Sequence, residues 1–182
     1  MSLWLFNIYF DKVVRQVNER AMGKGVKLRD ENGEGWEIKQ VLYADDTVLV
    51  AETREHLQHI ASEFERACDS MGLKINVGKI KVLTIKKNQM GSCEKVSVNG
   101  EELQEVDKFK YLGVMISTDG GMGEELAHRV LEGKKVWGTM AKLWKENVIS
   151  REVKRELYET VVIPTVVYGS ETWSLAQGRE EK

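Results

Sequence analysis

Proline is almost missing from this chain: Pro164 is the single one in 182 residues. Cysteine occurs twice, at Cys68 and Cys93. With so little proline and no low-complexity tract, no flexible linker stands out. Two cysteines with no metal-ligand spacing and no paired framework argue against a secreted disulfide scaffold and for a reducing, intracellular setting, cytoplasmic or nuclear. No apolar run approaches the length of a membrane span, so no membrane partner is expected. The apolar start, Ser2 to Phe10, lacks the basic lead-in and small-residue cleavage site of a signal peptide. A large charge of one sign is also lacking. Lys and Arg number 27 against 29 Asp and Glu, a net charge of −2. The molecule as a whole is therefore no polycation.

What is present is an ordinary soluble composition, 42% hydrophobic and 31% charged, in a chain long enough for one large domain or two small ones. The charges are unevenly placed. Residues 74–87 hold five lysines (Lys74, Lys79, Lys81, Lys86, Lys87) and no acid, and residues 129–155 hold eight basic residues against three acids, a net +5. Residues 41–73 run the other way, with seven acids against two arginines. Basic regions beside an acidic one fit a polyanion bound near a metal site, although either cluster alone reads as a solvated face.

The acidic stretch contains Val41-Leu42-Tyr43-Ala44-Asp45-Asp46-Thr47-Val48-Leu49-Val50-Ala51. Short β-branched and aromatic runs around a polar pair predict strand, tight turn and returning strand. Two adjacent carboxylates at a hairpin tip repel unless a hard cation such as Mg²⁺ neutralises them. An Asp-Asp surface turn is the plainer alternative, because Asp tolerates turn geometry.

Around this hairpin, apolar spacing predicts an amphipathic helix over 3–20. Alternation on both sides of Asn32-Gly33 predicts a hairpin over Val26–Lys39. Leu57, Ile60, Ala61, Phe64, Ala67, Cys68 and Met71 predict a helix capped by Thr53 and ended at Gly72, with Glu55 in its first turn. Strands are predicted over Leu73–Val77, Lys79–Ile85 and Phe109–Ile116, with a small hairpin at Asn99-Gly100. Gly113, inside its strand, signals close approach by another backbone or a ligand. After Gly120-Gly121 the pattern turns helical, with a stripe of Leu126, Val130, Trp137, Ala141, Trp144 and Val148. A second helix capped by Ser150 is expected to stop at Pro164. His56, His59 and His128 fall on polar helix faces.

In this order the elements resemble the C-terminal part of a LINE-type (non-LTR retrotransposon) reverse transcriptase. Tyr43-Ala44-Asp45-Asp46 is similar to that family's third palm motif, Tyr-Ala-Asp-Asp. Ser2-Leu3-Trp4-Leu5-Phe6-Asn7 resembles the tail of the second, Leu73 to Lys81 the fourth, and Phe109-Lys110-Tyr111-Leu112-Gly113 the primer-grip hairpin. Tyr168-Gly169 with Glu171 and Trp173 resembles the segment trailing the thumb. Leu3 stands where the family usually has proline, and Ile80 where it usually has threonine. The resemblance implies an α+β fold: a palm-like antiparallel sheet with packed helices over 1–120, then a helical thumb-like region over 121–182.

It also implies RNA-directed DNA polymerase chemistry on an RNA template and DNA primer, with Mg²⁺ or Mn²⁺. Two ions about 3.5 to 4 Å apart require carboxylates converging from two strands. Asp45 would be the chief metal ligand and Asp46 its weaker or structural partner. Lys79 would serve as general acid or electrostatic partner of the leaving pyrophosphate, unless it simply faces solvent. Asn7, Tyr43 and Ala44 would lie near the nucleotide and primer terminus. Phe109, Tyr111, Leu112 and Gly113 would hold the primer. Lys134, Lys135, Lys142, Lys145, Arg151, Lys154 and Arg155 would meet phosphates.

No aspartate here matches the first palm motif, since Asp11 falls on a helix and Asp30, Asp107 and Asp119 in or beside turns. The fragment is therefore expected to bind metal weakly, to be inactive alone, and to expose apolar surface at Trp4, Phe6 and Phe10 that invites association. A non-catalytic nucleic-acid-binding remnant is the alternative reading. An unrelated α/β protein with an incidental Asp-Asp turn is the other.

Overall fold

The amphipathic run at the start folds as α1 (Leu3–Arg20). Val13 and Val17 on it and Ala21 just past it, spaced by four, are fully buried. They close on Ile60, Ala67 and Cys68 of α2 (Arg54–Ser70), with Phe10 edge-on to Phe64 at 6.1 Å. The structure is a computed structural model and describes residues 3–44, 46–85 and 95–173. Thr53 caps α2 by accepting the His56 amide (3.2 Å), and Gly72 follows its end at φ 68°, as the sequence predicts.

Strand pairing among the described residues is confined to five two-stranded ladders. Strands β1 (Val26–Arg29) and β2 (Gly35–Ile38) flank the Asn32-Gly33 turn. Strands β3 (Gln40–Tyr43) and β4 (Asp46–Leu49) form the Tyr-Ala-Asp-Asp hairpin. Next come β5 (Lys81–Val82), β6 (Ser97–Val98), β7 (Glu101–Glu102) and β8 (Gln104–Glu105), with β5 parallel to β8. Asn99 and Gly100, at φ 52° and 75°, make the β6–β7 turn that Asn-Gly favours. Ala61, Val82, Val96, Val98 and Leu103 build a second apolar cluster beside the first.

Two expected strands are corrected. Leu73–Val77 does alternate in burial but makes no ladder, and a 3₁₀ turn follows at Val77–Lys79. Of Lys79–Ile85, only Lys81–Val82 pairs. Alternation reports which side faces a core, and here Leu73, Ile75 and Val77 face the two apolar clusters without pairing as a strand. The expected strand over Phe109–Ile116 is in fact a hairpin, β9 (Lys108–Tyr111) and β10 (Val114–Ser117), turning at Leu112-Gly113.

The remainder is helical: α3 (Gly123–Thr139), α4 (Ala141–Lys145), α5 (Arg151–Leu157), a π turn (Tyr158–Val162), α6 (Ile163–Val166) and a 3₁₀ turn (Ser170–Thr172). The expected continuous stripe breaks at Met140, which ends α3 and begins α4. Pro164 does not stop the chain from coiling. The π turn resets the hydrogen-bond register, so Pro164 falls in the first turn of α6, where its missing N–H costs nothing. Gly133 is the close approach of α3 to α6, since a Cβ there would lie 2.3 Å from Val166 Cγ2.

The chain forms two compact units, one holding the described residues up to Val82 with 95–105, the other 83–85 with 106–173. The boundary between these units falls at 105/106, and the β9–β10 hairpin is bonded to α3. Among the described residues, no helix is long and apolar enough to cross a membrane. Of the apolar residues expected to be exposed, Trp4 is 79% accessible, whereas Phe6 and Phe10 are half-buried and stacked at 5.4 Å.

The α1–α2 core predicts a mutational asymmetry. Ile60→Ala should cost about 2–5 kcal/mol in urea unfolding, because it removes a fully buried side chain. Ile8→Ala, on the exposed side of α1, should cost less than about 0.5 kcal/mol.

Candidate functional site

The Tyr-Ala-Asp-Asp hairpin is held by its base, and the described residues of its tip are exposed. At the base, the Val50 amide donates to the Lys39 carbonyl (2.8 Å) and closes the ladder. Lys39, itself buried, donates to the Asn18 carbonyl (3.1 Å) and pairs with Glu37 (3.1 Å), while Gln40 Nε2 donates to the Val14 carbonyl (3.2 Å). Both hooks land on α1, and Leu49 packs into both apolar clusters. Toward the tip the shelter is lost. Tyr43 is 63% accessible, and Ala44 and Asp46 are exposed. Tyr43 pairs with Asp46, so two residues make the connection, and the first of them, Ala44, has φ 52°. An alanine in the left-handed region is held there at a cost of roughly 1–2 kcal/mol.

The expected metal ligand Asp45 lies outside the described residues. Asp46 is the first residue of the returning strand β4. Among the described residues no group of three or more His, Cys, Asp or Glu could hold a metal ion. The described part of this chain thus does not by itself complete a metal centre. Lys79 is exposed at the end of the 3₁₀ turn, and Asn7 is exposed on α1. Cys68 is buried in the α1–α2 core, where burial, with Asp69 adding to it, pushes its thiol up to about 11. It is a packing residue and no nucleophile.

The second unit carries the expected primer-holding residues. Leu112 (φ 47°) and Gly113 (φ 85°) form the β9–β10 turn, with Tyr111 paired to Val114. Phe109 is exposed and Tyr111 half-buried. The close approach signalled by Gly113 is made by Tyr168, whose Cε1 would lie 3.1 Å from a Cβ at that position. Tyr168 also donates its hydroxyl to the Leu112 carbonyl (2.9 Å). Arg129 Nη2 donates to the Gly113 carbonyl, and its guanidinium lies 5.0 Å from the centre of the Tyr168 ring. Glu125 completes the set, pairing with Arg129 (2.5 Å) and accepting the Met115 amide (2.6 Å). Burial alone would raise the Glu125 carboxyl, but the Met115 amide and Arg129 outweigh it and hold the group below the usual carboxylate range.

Sequence reasoning missed this cluster. It assigned the packed stripe of α3 to Leu126, Val130 and Trp137, yet all three are exposed and the buried residues are Glu125, Arg129 and Gly133. An acid and an arginine four apart at the head of a helix were the available signal.

Of the expected phosphate contacts, Lys134, Lys142, Lys145 and Arg151 are exposed. Lys135 pairs with Glu132 (2.7 Å), and Arg155 with Glu159 (3.6 Å). Lys154 donates to the carbonyls of Trp144 (2.9 Å) and Glu146 (2.7 Å), capping the end of α4. His59 is exposed, His56 half-buried, and His128 lies 3.8 Å from Glu132.

A profile of the family described as reverse transcriptase (RNA-dependent DNA polymerase) matches residues 1–116. A transposon-derived protein of Caenorhabditis elegans is 27% identical over 154 residues, 81% of this chain and 53% of its own length. The RNA-directed DNA polymerase from mobile element jockey of Drosophila melanogaster is 24% identical over 74% of this chain and 15% of its own. The Pol polyprotein from type-1 retrotransposable element R2 of Nasonia vitripennis is 31% identical over 66% of this chain and 12% of its own. The chain thus spans about half of the nematode protein and a small part of the other two. No solved structure matches it significantly. The chain belongs to the reverse transcriptase family. Its relatives in mobile elements agree with the LINE-type resemblance of its motifs.

The clamp on the hairpin predicts a pH signature. Because the folded Glu125 carboxyl titrates below its ordinary value of 4.5, its stabilisation is complete above about pH 4.5 and fades as pH falls through the folded-state value. Glu125→Gln should cost on the order of 3–5 kcal/mol near neutral pH. The gap between wild type and variant should close in unfolding curves taken below pH 4.5.

Proposed function

We propose that residues 1–120 are a reverse transcriptase palm, from the second motif to the primer-grip hairpin, and that 121–182 are the thumb with its trailing segment. In this reading the chain binds an RNA template and a DNA primer. Asp45 and Asp46 supply the hairpin side of the metal site, and Asn7, Tyr43 and Ala44 border the nucleotide and primer end. Lys79 faces the leaving pyrophosphate, and Phe109, Tyr111, Leu112 and Gly113 hold the primer backbone. The exposed basic residues of the helical unit meet phosphates.

The observation that carries this reading is the projecting tip. Its base is hooked to α1, its exposed Tyr43 and Asp46 are paired across a two-residue connection, and Ala44 is held at positive φ. Unusual backbone kept at an exposed tip is where function is to be sought. Enzymes of this family depend on divalent metal ions, which stabilise the charge that develops during phosphoryl transfer. No aspartate of this sequence matches the first palm motif, and two-metal chemistry needs carboxylates from two strands, so in this reading these 182 residues on their own bind metal weakly and do not extend a primer.

The test has two arms. In primer extension on an RNA template with Mg²⁺ or Mn²⁺, the 182-residue polypeptide should add no nucleotides. Extension that Asp45→Ala abolishes would defeat that expectation. In anisotropy titrations the same polypeptide should bind primer–template with an affinity that falls steeply with salt, and Asp45→Ala with Asp46→Ala should leave this intact. Salt-insensitive binding, or none, would refute the nucleic-acid role.

A further inference from the structure

The helical unit carries a groove that includes three of the basic residues expected to meet phosphates, Lys134, Lys154 and Arg155, beside aromatic side chains that the reading above leaves without a role. It has a volume of about 780 Å³, open to solvent, between α3, α5 and the residues that follow them. That size lies within the roughly 300–1,000 Å³ of small-ligand sites. Its lining is mostly apolar and includes Trp137, Trp144 and Tyr158. The two indoles are stacked, with centroids 4.3 Å apart and planes 16° from parallel, and Tyr158 meets Trp137 edge-on at 5.8 Å. Trp144 Nε1 donates to the Trp137 carbonyl (2.9 Å), so its one donor is occupied and its ring plane is fixed. Trp137 nevertheless remains 45% accessible and Tyr158 42%. Rigid aromatic surface left partly open to solvent marks a place where another molecule docks.

The charge around them identifies the cover. Lys134, Lys154 and Arg155 line the groove, and among the described residues no Asp or Glu does. Lys154 is spent on two backbone carbonyls and braces the Trp144 end of α4. Lys134 is exposed, and Arg155 has only a loose, exposed pairing with Glu159. A polyanion with flat apolar groups satisfies both features. In a duplex the bases are already stacked on one another and offer phosphates alone, whereas an unpaired strand offers ring faces as well.

We infer that this groove binds unpaired nucleotides of a single strand, with bases stacked at Trp137 and Tyr158 and phosphates on Lys134 and Arg155. The inference rests on the nucleic-acid reading above, though on neither the metal site nor polymerase activity.

The whole 182-residue chain, followed by tryptophan fluorescence and anisotropy, tests it with three probes: oligothymidylate, an abasic strand of equal length and charge, and a duplex. Stacking at one site is worth about 1–3 kcal/mol, so oligothymidylate should quench the fluorescence and bind at least about fivefold tighter than the abasic strand. Trp137→Ala should erase that difference while leaving duplex binding in place. Where Trp137→Ala folds poorly by circular dichroism, Tyr158→Leu should weaken the preference and Tyr158→Phe should keep it. Equal affinity for base-bearing and abasic strands would overturn the inference and leave the family reading untouched, whereas failure of every probe, duplex included, would overturn both. Displacement by polyglutamate as effective as by oligothymidylate would assign the groove to an acidic peptide. Self-association abolished by Trp137→Ala would assign it to a second copy of the chain. Either result rejects the nucleotide site.

Discussion

A carboxylate withdrawn from water needs partners on every side, and Glu125 meets that need with Arg129 and the Met115 amide. Burying the pair is costly in itself, so its worth lies in what it forces on its neighbours. Arg129 can be satisfied there only by reaching the Gly113 carbonyl and lying against Tyr168. Tyr168 in turn reaches the Leu112 carbonyl. Three side chains from two distant parts of the sequence therefore fix both carbonyls of one turn. The β9–β10 hairpin has no other strand beside it among the described residues, and a lone two-stranded ladder is marginal in water. Its geometry depends on this polar clamp.

The first unit holds its own hairpin by different chemistry. Lys39 and Gln40 are hooked to carbonyls of α1 at the base, and Leu49 is sunk in apolar neighbours. The tip is where the exposed Tyr43 and Asp46 stand. The two hairpins nevertheless share a non-glycine residue at positive φ, Ala44 in one and Leu112 in the other. Such residues are uncommon outside Asn, Asp and Gly. In each case the turn is constrained by what surrounds it: a closed ladder in the first and a clamp in the second.

Local signals in the sequence were read well where one residue suffices. Thr53, Gly72, Asn99-Gly100 and Ser150 each act within a turn or a cap, and each does so in the structure. Alternation at Leu73–Val77 correctly separated inward from outward residues but could not reveal that no strand lies beside them. Pro164 was read as a stop because a π turn leaves no compositional trace. The candidate site was legible at Tyr43-Ala44-Asp45-Asp46 as a hairpin, since register there follows from pattern. Glu125 and Arg129 were not, because charged residues on a helix are ordinarily assigned to solvent, and Tyr168 lies too far along the chain for a local signal to tie it to the Leu112-Gly113 turn. The buried face of α3 runs one residue ahead of its apolar one.

The family match ends at residue 116, a few residues after the Leu112-Gly113 turn. The side chains that hold that turn lie at 125, 129 and 168. The family profile and the fold thus place their limits differently. A polypeptide cut where the profile stops would keep all of the hairpin but Ser117 and lose the side chains that hold its turn. Its two turn carbonyls would then be left to water, with an unsupported leucine in the left-handed region between the strands. Segments of this chain excised by sequence likeness alone should therefore be judged by whether they retain the acid–arginine pair and the tyrosine.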